Sequence, residues 1–523
     1  MPDRRLWQHH HRDRPGGAEP QGYARAGAVP RMIRSQVVYS RLAAIVREMS
    51  DTVARTARSK GLAEGRRYAV AALTGAPRIA AQVQFDASHS YLIRASAAAL
   101  IDYFAFDLAD GDIVVVGDPY SGGSTPQVLT FLAPFFHEGE LVLFPAIRAE
   151  LADLAGEYPG TLHPTASETW QEAIRVTPVK LYRNGVLQRD ILRFLLRNSR
   201  AADLVRSDIE AIVSALRAAG RNLDTLLRDR GRQAVEGAID DAIDHGRRLV
   251  GTYLSRWNGM ERAGATTIER IGSNPIALKL RLSAEGGTLL ADFVGSNPQV
   301  AEPYNITRWH VRGYVLVAAV AEMLDDVALN DGVLDRLEVR AERGSIVDPI
   351  LPSATGLSDL VTGHAVAGLV RAMLQGDGDG MAPIDGPAPA IVLFAPIGSR
   401  EDNPPFALDP GFAISGAGWG SPVLAGHRLL PSAEILEARD GFEVLFRERS
   451  PMGAIDVLVR NRRGDLEAAA IVPQRSGHAC GALVLVEGDR ETPLDCVTGG
   501  PIPDGALLRF TYPRYAGDLD DET

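Results

Sequence analysis

Residues 111–123, GDIVVVGDPYSGG, predict a buried strand that ends in a glycine-rich loop. The run 113–116 consists only of isoleucine and valine, and β-branched residues favour strands. Glycine, aspartate and proline follow directly at 117–119, and such residues end a strand in a turn. Loops at strand ends commonly carry function, so residues 121–126 (SGGSTP) form a candidate functional loop.

The sequence on both sides of this stretch predicts a mixture of helices and strands. From Ser35 to Lys60, apolar residues recur every three or four positions, as in an amphipathic helix. Residues 141–144 (LVLF) predict a second strand. Residues 203–257 carry two successive helical stripes that meet at Arg230-Gly231, which is typical of a long helical hairpin. Further strands and helices follow, and after residue 390 short strands alternate with turns.

The predicted fold class is α/β, of a mixed α+β and multi-domain kind, with mixed sheets, a long helical hairpin and a β-rich C-terminal part. The chain has 523 residues, enough for about three to four units of ordinary domain size. The predicted units are a disordered tail (1–34), an N-terminal α/β domain with the candidate site (35–200), a helical hairpin (201–260), a second α/β domain (261–390) and a β-rich C-terminal domain with an acidic tail (391–523).

The composition argues against several classes of protein. Its 55 Lys and Arg against 66 Asp and Glu give a net charge of −11, and no basic domain stands out, which argues against a nucleic-acid binder. The longest apolar stretches are interrupted by charged residues, which argues against a membrane span. Two cysteines, Cys480 and Cys496, are too few for a disulfide framework and indicate a reducing, cytoplasmic location.

Polar residues that suit a metal or acid–base site are densest between positions 89 and 172. The candidates are His89, Asp118, Glu150, Asp153, His163 and Glu172. Carboxylates and imidazole from neighbouring strand ends would bind a divalent cation, and Glu150 and Asp153 would share a face if their stretch is helical. Each residue also has a structural explanation, since an aspartate before a proline, such as Asp118, usually caps its own turn.

Further motifs lie in a fixed order along roughly residues 35 to 515. They are Arg148-Ala149, Ala152-Asp153, Pro159-Gly160, Gln171-Glu172, Pro178–Leu181, Asn184–Leu187, Asp292–Val300 and Pro303–Asn305. Together with residues 111–123 they resemble the hydantoinase B/oxoprolinase family, whose pattern there reads roughly G-D-V-x-x-x-N-D-P-Y-x-G-G-T-H-x-x-D. Several motifs in the correct order are more specific than any one of them.

The resemblance implies one B-type subunit of a heteromeric, ATP-dependent enzyme that opens a cyclic amide or carboxylates a ketone. Relatives in the family include subunits of hydantoinases, 5-oxoprolinases and acetone or acetophenone carboxylases. The resemblance also implies a hydantoinase A-type partner that handles ATP, which agrees with the lack of a phosphate-binding loop of the Lys-Ser/Thr type in this sequence. A metal-containing site for a small-molecule substrate is implied for the B-type chain.

This sequence departs from the family pattern at several expected metal ligands. Residues 124–128 (STPQV) replace the family's Thr-His-x-x-Asp, and Glu150-Leu151 replaces its His-His. Phe85 stands at a first family histidine, whereas His89 matches a second one. Threonine, valine, leucine and phenylalanine side chains cannot replace imidazole or carboxylate at a metal. The remaining candidate metal ligands are His89, Asp118, Glu150 and Asp153, with His163 and Glu172 as candidate catalytic groups.

Two hypotheses about function follow from these departures. In the first, the chain is a non-catalytic B-type subunit with a reduced or absent metal site, kept for its role in a complex with an A-type chain and an intact B-type paralogue. In the second, it is an active metal-dependent subunit whose rebuilt site holds Mn, Zn or Fe and polarises a carbonyl or activates water. Metal analysis discriminates between them.

Overall fold

A computed structural model describes most of the chain up to residue 376 and the strands that follow. The described residues are 31–63, 66–84, 88–157, 163, 165–270, 273–320, 323, 329–376, 391–396, 406–408, 433–435, 437–438, 441–449, 455–471, 482–487, 490–493 and 500–512. Within these ranges, no helix has both the length and the apolar character needed to cross a membrane.

Eleven helices are present in the described part of the chain. They are α1 (Arg31–Thr56), α2 (Lys60–Ala63), α3 (Ser88–Tyr103), α4 (Thr169–Glu172), α5 (Arg189–Arg197), α6 (Ala202–Arg230), α7 (Arg232–Leu254), α8 (Arg308–Val320), α9 (Asp331–Leu334), α10 (Gly363–Gln375) and α11 (Ala433–Ile435). A 3-10 turn (Ser255–Trp257) follows α7, and a π-helical turn (Ser358–Thr362) leads into α10.

The strands of the first two sheets come before α10. They are β1 (Tyr68–Thr74), β2 (Ile79–Gln84), β3 (Ile113–Gly117), β4 (Val128–Leu132), β5 (Phe135–His137), β6 (Glu140–Glu150), β7 (Val176–Arg183), β8 (Val186–Leu187), β9 (Met260–Arg270), β10 (Ser273–Glu285), β11 (Thr288–Asp292) and β12 (Leu337–Arg340). The C-terminal strands are β13 (Ile391–Pro396), β14 (Phe406–Leu408), β15 (Phe442–Arg449), β16 (Ile455–Asn461), β17 (Leu466–Ile471), β18 (Ala482–Glu487), β19 (Arg490–Pro493), β20 (Gly500–Ile502) and β21 (Leu507–Tyr512).

The N-terminal sheet is antiparallel and is covered on both faces. Its order is β2-β1-β6-β4-β3-β7-β8, with β5 paired to β6. Alternate residues of a strand point to opposite faces. In β1, Tyr68 and Val70 therefore join a core with α1, α6 and α7, while Ala71 and Leu73 join a second core with α3 and α8. Burial on both faces explains why β1 and β3 are almost continuously apolar.

The helical layer on one side of this sheet consists of α1, α6 and α7. The apolar stripe of α1 is buried there, for example at Leu42, Met49 and Val53. Helix α6 ends and α7 begins at Gly231, whose φ of +81° lies in the region that glycine adopts without steric cost. Helices α6 and α7 both pack against α1, and all three helices contribute residues to the same core.

The second sheet has the order β12-β11-β10-β9 and is mixed, since β11 and β12 are parallel while the other pairs are antiparallel. Helices α8 and α10 pack on it, and α8 also packs against α3. The second sheet and one face of the N-terminal sheet therefore share a hydrophobic core. The C-terminal strands form two antiparallel sheets, β14-β13-β17-β20 and β15-β16-β21-β18-β19.

The predicted fold class is confirmed: the chain is mixed α+β and multi-domain, with mixed and antiparallel sheets and a β-rich C-terminal part. The conditional helix at residues 148–153 is wrong, because β6 continues to Glu150 and residues 151–155 form no helix. The domain boundaries stay a prediction. Several predictions concern residues outside the described part, namely the N-terminal tail up to residue 30, Phe85, Pro159-Gly160, Cys480, Cys496 and the acidic segment after residue 512.

Candidate functional site

Asp118 stands at the end of β3, where it caps the turn that begins the glycine-rich loop. Its carboxylate accepts hydrogen bonds from the main-chain N–H of Tyr120 (3.0 Å) and from Ser121 Oγ (2.7 Å). Arg175 Nε lies 3.0 Å from the same carboxylate, and only 1% of the Asp118 side chain is exposed. The buried negative charge is therefore matched by a guanidinium, and the turn-capping explanation of the sequence pattern holds.

The glycine-rich loop lies tightly between α3 and the turn at Asp118. Gly122 has a φ of +82°, and a Cβ atom there would lie 2.4 Å from the main-chain carbon of Ala95. The carbonyl oxygen of Gly122 accepts a hydrogen bond from Ser96 Oγ (2.9 Å), and that of Gly123 accepts one from Thr307 Oγ1 (2.8 Å). Glycine is needed here for close approach of two backbones.

Arg148, on β6, is fully buried below this loop. Its guanidinium donates hydrogen bonds to Ser124 Oγ (2.6 Å), Thr130 Oγ1 (3.2 Å) and Ser96 Oγ (3.4 Å). Arg148 Nε also donates to His89 Nδ1, at 3.3 Å. Residues 124–128 thus contribute a hydroxyl, that of Ser124, to a buried arginine.

Glu150 and Asp153 follow Arg148 but point to different partners. Arg67 Nε lies 2.7 Å from Glu150 Oε2. Asp153 is fully buried and accepts hydrogen bonds from the main-chain N–H (2.6 Å) and the guanidinium (2.9 Å) of Arg200. The two carboxylates are therefore held by separate arginines, and they do not share a helix face.

The two candidate catalytic groups are held differently. His163 lies 2.9 Å from Glu157 through Nε2, while its Nδ1 accepts a hydrogen bond from the main-chain N–H of Thr165 (3.3 Å). The hydrogen bond from His163 lowers the pKa of Glu157. Glu172 is buried, and its carboxyl accepts hydrogen bonds from the main-chain N–H groups of Thr355 (3.0 Å) and Gly356.

Burial raises the pKa of Glu172 to about 8, against the opposing effect of the hydrogen bonds from Thr355 and Gly356. A pKa of about 8 favours the protonated carboxyl at neutral pH. Burial also raises the pKa of Tyr120, with smaller contributions from Glu172 and Asp118, and its hydroxyl donates to Ser353 O. These contacts join the N-terminal sheet region to the segment before α10.

A buried histidine–aspartate pair, His310 with Asp359, was not among the sequence candidates. His310 Nε2, on α8, lies 2.8 Å from Asp359 Oδ1, in the π-helical turn before α10. Burial alone would raise the pKa of Asp359, but the charge and hydrogen bond of His310, with His89 and Arg67, lower it. Other polar residues lie in the same segments, such as Arg312 on α8 and Ser358 in the π-helical turn, so no pattern in the sequence singles out this pair.

His310 brings this pair close to the residues around Arg148. The ring centroids of His89 and His310 are 6.2 Å apart in an edge-on arrangement. His89 is thus a sequence candidate that the structure brings near the His310–Asp359 pair. The carboxylates of Asp118, Glu150 and Asp153 are each held by an arginine.

The candidate metal ligands that the structure describes are each engaged with other protein groups. Across the described ranges, no group of three or more histidine, cysteine, aspartate or glutamate residues is arranged to hold a metal ion. Each of the three candidate carboxylates already has a cationic partner, and His89 Nδ1 accepts a hydrogen bond. A metal would have to displace these partners and leave partly exposed guanidinium groups next to a second cation.

Comparison with known sequences gives a consistent family assignment. The family model described as hydantoinase B/oxoprolinase matches residues 31–447. The beta subunit of the Pseudomonas jessenii caprolactamase is 28% identical over 274 residues, and the B subunit of a putative D-/L-hydantoinase from Pseudomonas sp. (strain NS671) is 24% identical over 280 residues. The 5-oxoprolinase 1 of Arabidopsis thaliana is 23% identical over 368 residues.

These alignments cover 52%, 51% and 66% of this chain, in the same order. They cover 47%, 47% and 29% of the relatives, so the chain spans about half of their length or less.

Two solved structures share the fold. The crystal structure of the ATP-dependent caprolactamase from Pseudomonas jessenii matches with a TM-score of 0.83 and 19% sequence identity, over 94% of this chain and 91% of that chain. A nucleotide-free acetone carboxylase structure matches with a TM-score of 0.77 and 15% identity, over 92% of this chain and 75% of that chain.

Proposed function

Because the chain belongs to the hydantoinase B/oxoprolinase family, we propose that it is the B-type subunit of a heteromeric, ATP-dependent enzyme that opens a cyclic amide or carboxylates a ketone. Similar proteins are the beta subunit of a caprolactamase and the B subunit of a putative hydantoinase, and the caprolactamase with the same fold is ATP-dependent. In this proposal an A-type chain handles ATP, and the small-molecule substrate reacts in the assembled complex. The proposed location of the complex is the cytoplasm, in keeping with the two cysteines of this chain.

The proposed role of the chain within that complex is structural, with a reduced metal site. The pairing of every candidate carboxylate ligand with an arginine carries this part of the proposal. Asp118 faces Arg175, Glu150 faces Arg67, and Asp153 faces Arg200, at 3.0, 2.7 and 2.9 Å. A carboxylate that is paired with a guanidinium keeps its charge, but a divalent cation must displace the arginine in order to bind it.

The candidate acid–base groups support the same role. Glu172 uses its carboxyl to accept main-chain hydrogen bonds from the segment before α10, and His163 is held by Glu157 and Thr165. Glu172 thereby fastens α4 to the segment before α10, and His163 contacts residues of its own loop. Catalysis is therefore assigned to an intact B-type paralogue in the complex, with the A-type chain supplying ATP chemistry.

Metal analysis of the purified full-length chain tests the proposal. We expect much less than one Mn, Zn or Fe per chain after expression in medium supplemented with each metal, with no change in Asp118→Asn. Glu210→Gln, an exposed substitution on α6, is the matched control. One metal per chain that is lost in Asp118→Asn but kept in Glu210→Gln would contradict the reduced site and support the active metal-dependent subunit instead.

Reconstitution tests the structural role separately. In a complex with the A-type subunit and an intact B-type paralogue, Asp118→Asn is expected to leave turnover unchanged. Omission of this chain is expected to lower the yield of the assembled complex. A loss of turnover in Asp118→Asn, with the complex still assembled, would contradict a non-catalytic role.

A further inference from the structure

Residues 352–357, which we name the strap, lead directly into the π-helical turn before α10, and residues 353–357 are buried. The hydrogen bonds that hold the strap on the N-terminal sheet region run from the N–H of Thr169 to the oxygen of Pro352 (2.7 Å), from the N–H of Ala354 to the oxygen of Ser167 (3.2 Å), from Thr355 Oγ1 to the main-chain oxygen of Ser124 (2.9 Å) and from the Tyr120 hydroxyl to the oxygen of Ser353. The strap therefore joins two regions that are distant along the chain.

Glu172, at the end of α4, also holds the strap, and it does so through its carboxyl group. The carboxyl accepts hydrogen bonds from the main-chain N–H groups of Thr355 (3.0 Å) and Gly356, and only 4% of Glu172 is exposed. A Cβ atom at Gly356 would lie 2.5 Å from Glu172 Oε1, so glycine allows the carboxyl to come this close to the strap. The strap thus covers the carboxyl directly.

Glu172 differs from the other buried carboxyl groups of this region because it has no cationic partner. Asp118, Glu150 and Asp153 each lie within 3.0 Å of an arginine nitrogen. In the described part of the chain, no arginine, lysine or histidine forms an ion pair with Glu172. A buried carboxyl without a cation is stable chiefly in its neutral form, because its charge would lose the hydration that water gives it.

The other titratable groups near Glu172 do not supply a positive charge to it. The Tyr120 hydroxyl is close enough for Glu172 and Asp118 to raise its pKa. Arg175 lies beside Tyr120, but its guanidinium is 3.0 Å from Asp118 and neutralises that carboxylate. The strap itself contains no titratable side chain. Loss of the proton from Glu172 therefore leaves a buried negative charge that only water can stabilise.

We propose that the strap opens locally when Glu172 loses its proton and closes when Glu172 is protonated. The ionised carboxyl regains its hydration only if the strap moves away, since the strap covers it. The N–H groups of Thr355 and Gly356 oppose this opening, but burial outweighs them, because the pKa of Glu172 is raised to about 8. The opened form has released a proton that the closed form keeps, so rising pH favours opening between about 4.5 and 8.

Opening of the strap would also reach the His310–Asp359 pair. The π-helical turn (Ser358–Thr362) begins at the residue after the strap, and it carries Asp359, 2.8 Å from His310 on α8. A strap that leaves the N-terminal sheet region frees the start of this turn. The protonation of Glu172 is thereby linked to a contact between α8 and the segment before α10, which goes beyond the proposed function of the chain.

Hydrogen exchange measured by mass spectrometry on the full-length chain tests this proposal. The protection factor of peptides that cover residues 352–362 is measured from pH 5 to pH 8, after correction for the intrinsic effect of pH on exchange. We expect it to fall by up to tenfold per pH unit in the wild-type chain. It should be independent of pH in E172Q, because glutamine accepts the same N–H groups and does not ionise.

D208N is the matched control for E172Q. Asp208 is also buried, and its carboxyl accepts hydrogen bonds from the N–H groups of Arg58 (3.0 Å) and Ser59 (3.1 Å), which belong to the segment after α1 and not to the strap. D208N should therefore keep the wild-type dependence of strap protection on pH. The same dependence in E172Q and the wild-type chain would overturn the proposal, because another group would then drive the opening.

A second comparison separates local opening from unfolding of the whole chain. Peptides of β1 (Tyr68–Thr74), which is buried on both faces, report on global unfolding. The strap should exchange faster than β1 at each pH, and low concentrations of urea should not change its rate, because local opening exposes little surface. Strap and β1 peptides that exchange at the same rate, with the same response to urea, would overturn the proposal.

The proposal stays testable if E172Q does not fold. Strap protection that does not change with pH in the wild-type chain would overturn it without any variant. Y120F removes the hydrogen bond to Ser353 and keeps Glu172, so it should lower strap protection about fivefold at each pH with the wild-type slope. Wild-type protection in Y120F would contradict the strap as the segment that opens.

Discussion

Arg200 holds the buried carboxylate of Asp153 with two hydrogen bonds, one from its main-chain N–H at 2.6 Å and one from its guanidinium at 2.9 Å. The same guanidinium donates to the main-chain oxygens of Ala155 and Gly156. Arg200 lies just before α6, so it ties the loop after β6 to the start of the long helical layer. Asp153, a candidate metal ligand by sequence, thus acts as an anchor for a loop.

Arg200→Ala is expected to destabilise the chain strongly. Asp153 is fully buried, and removal of its charged partner leaves an uncompensated carboxylate, which costs about 3 kcal/mol. The free energy of unfolding, measured by urea denaturation followed by circular dichroism, should fall by that amount. Arg248→Ala, at an exposed arginine of α7, should change it by less than about 0.5 kcal/mol. Equal urea midpoints for the two variants would show that the Asp153–Arg200 contact does not stabilise the fold.

Glu172 makes the stability of the chain depend on pH between about 4.5 and 8. Its pKa is about 8 in the native protein because of burial, against an ordinary value of 4.5. Over this interval the native state keeps a proton that the unfolded state has released, so the free energy of unfolding falls as pH rises. The contribution of Glu172 to this slope reaches about 1.4 kcal/mol per pH unit.

Glu172→Gln should remove that contribution, because glutamine has no charge at any pH in the interval. The measurement is a series of urea titrations from pH 5 to pH 8 on the wild-type chain and the variant. Glu210→Gln, exposed on α6, should keep the wild-type slope. Parallel slopes for the wild-type chain and Glu172→Gln would mean that Glu172 is ionised in the folded protein.

Periodicity made the fold class predictable from the sequence, because burial on one face of a helix or on both faces of a strand leaves a regular apolar pattern. The stripe of α1 and the β-branched run of β3 are examples, and both are buried as the pattern predicts. The end of β6 was missed because Arg148 and Glu150 look like surface residues. Their burial depends on partners from other elements, such as Ser124 for Arg148 and Arg67 for Glu150.

The sequence identified acidic residues of the candidate site, but it did not predict which residues contact them. The sequence identified the carboxylates Asp118, Glu150 and Asp153, yet the arginines that hold them are distant along the chain and carry no motif that marks them as partners. His310 and Asp359 also meet only through the packing of α8 against α10. Such contacts join residues that are distant along the chain, so no local sequence pattern predicts them.

Gly122→Ala tests how tightly the glycine-rich loop packs on α3, and Gly139→Ala is its matched control. Both glycines have a positive φ, +82° and +83°, so alanine pays a similar backbone cost of about 1 kcal/mol at either position. A Cβ at Gly139 meets nothing within 4 Å, whereas at Gly122 it would lie 2.4 Å from the main-chain carbon of Ala95.

The close contact at Gly122 is with helical backbone, which cannot rotate away as a side chain would. Gly122→Ala must therefore move the loop away from α3 and loosen the hydrogen bond between Ser124 and Arg148, at an additional cost of about 2 kcal/mol. Urea denaturation should give a loss of free energy of unfolding about 2 kcal/mol larger for Gly122→Ala than for Gly139→Ala. If both variants lose the same amount, the loop has room to shift, and glycine at 122 serves only its backbone conformation.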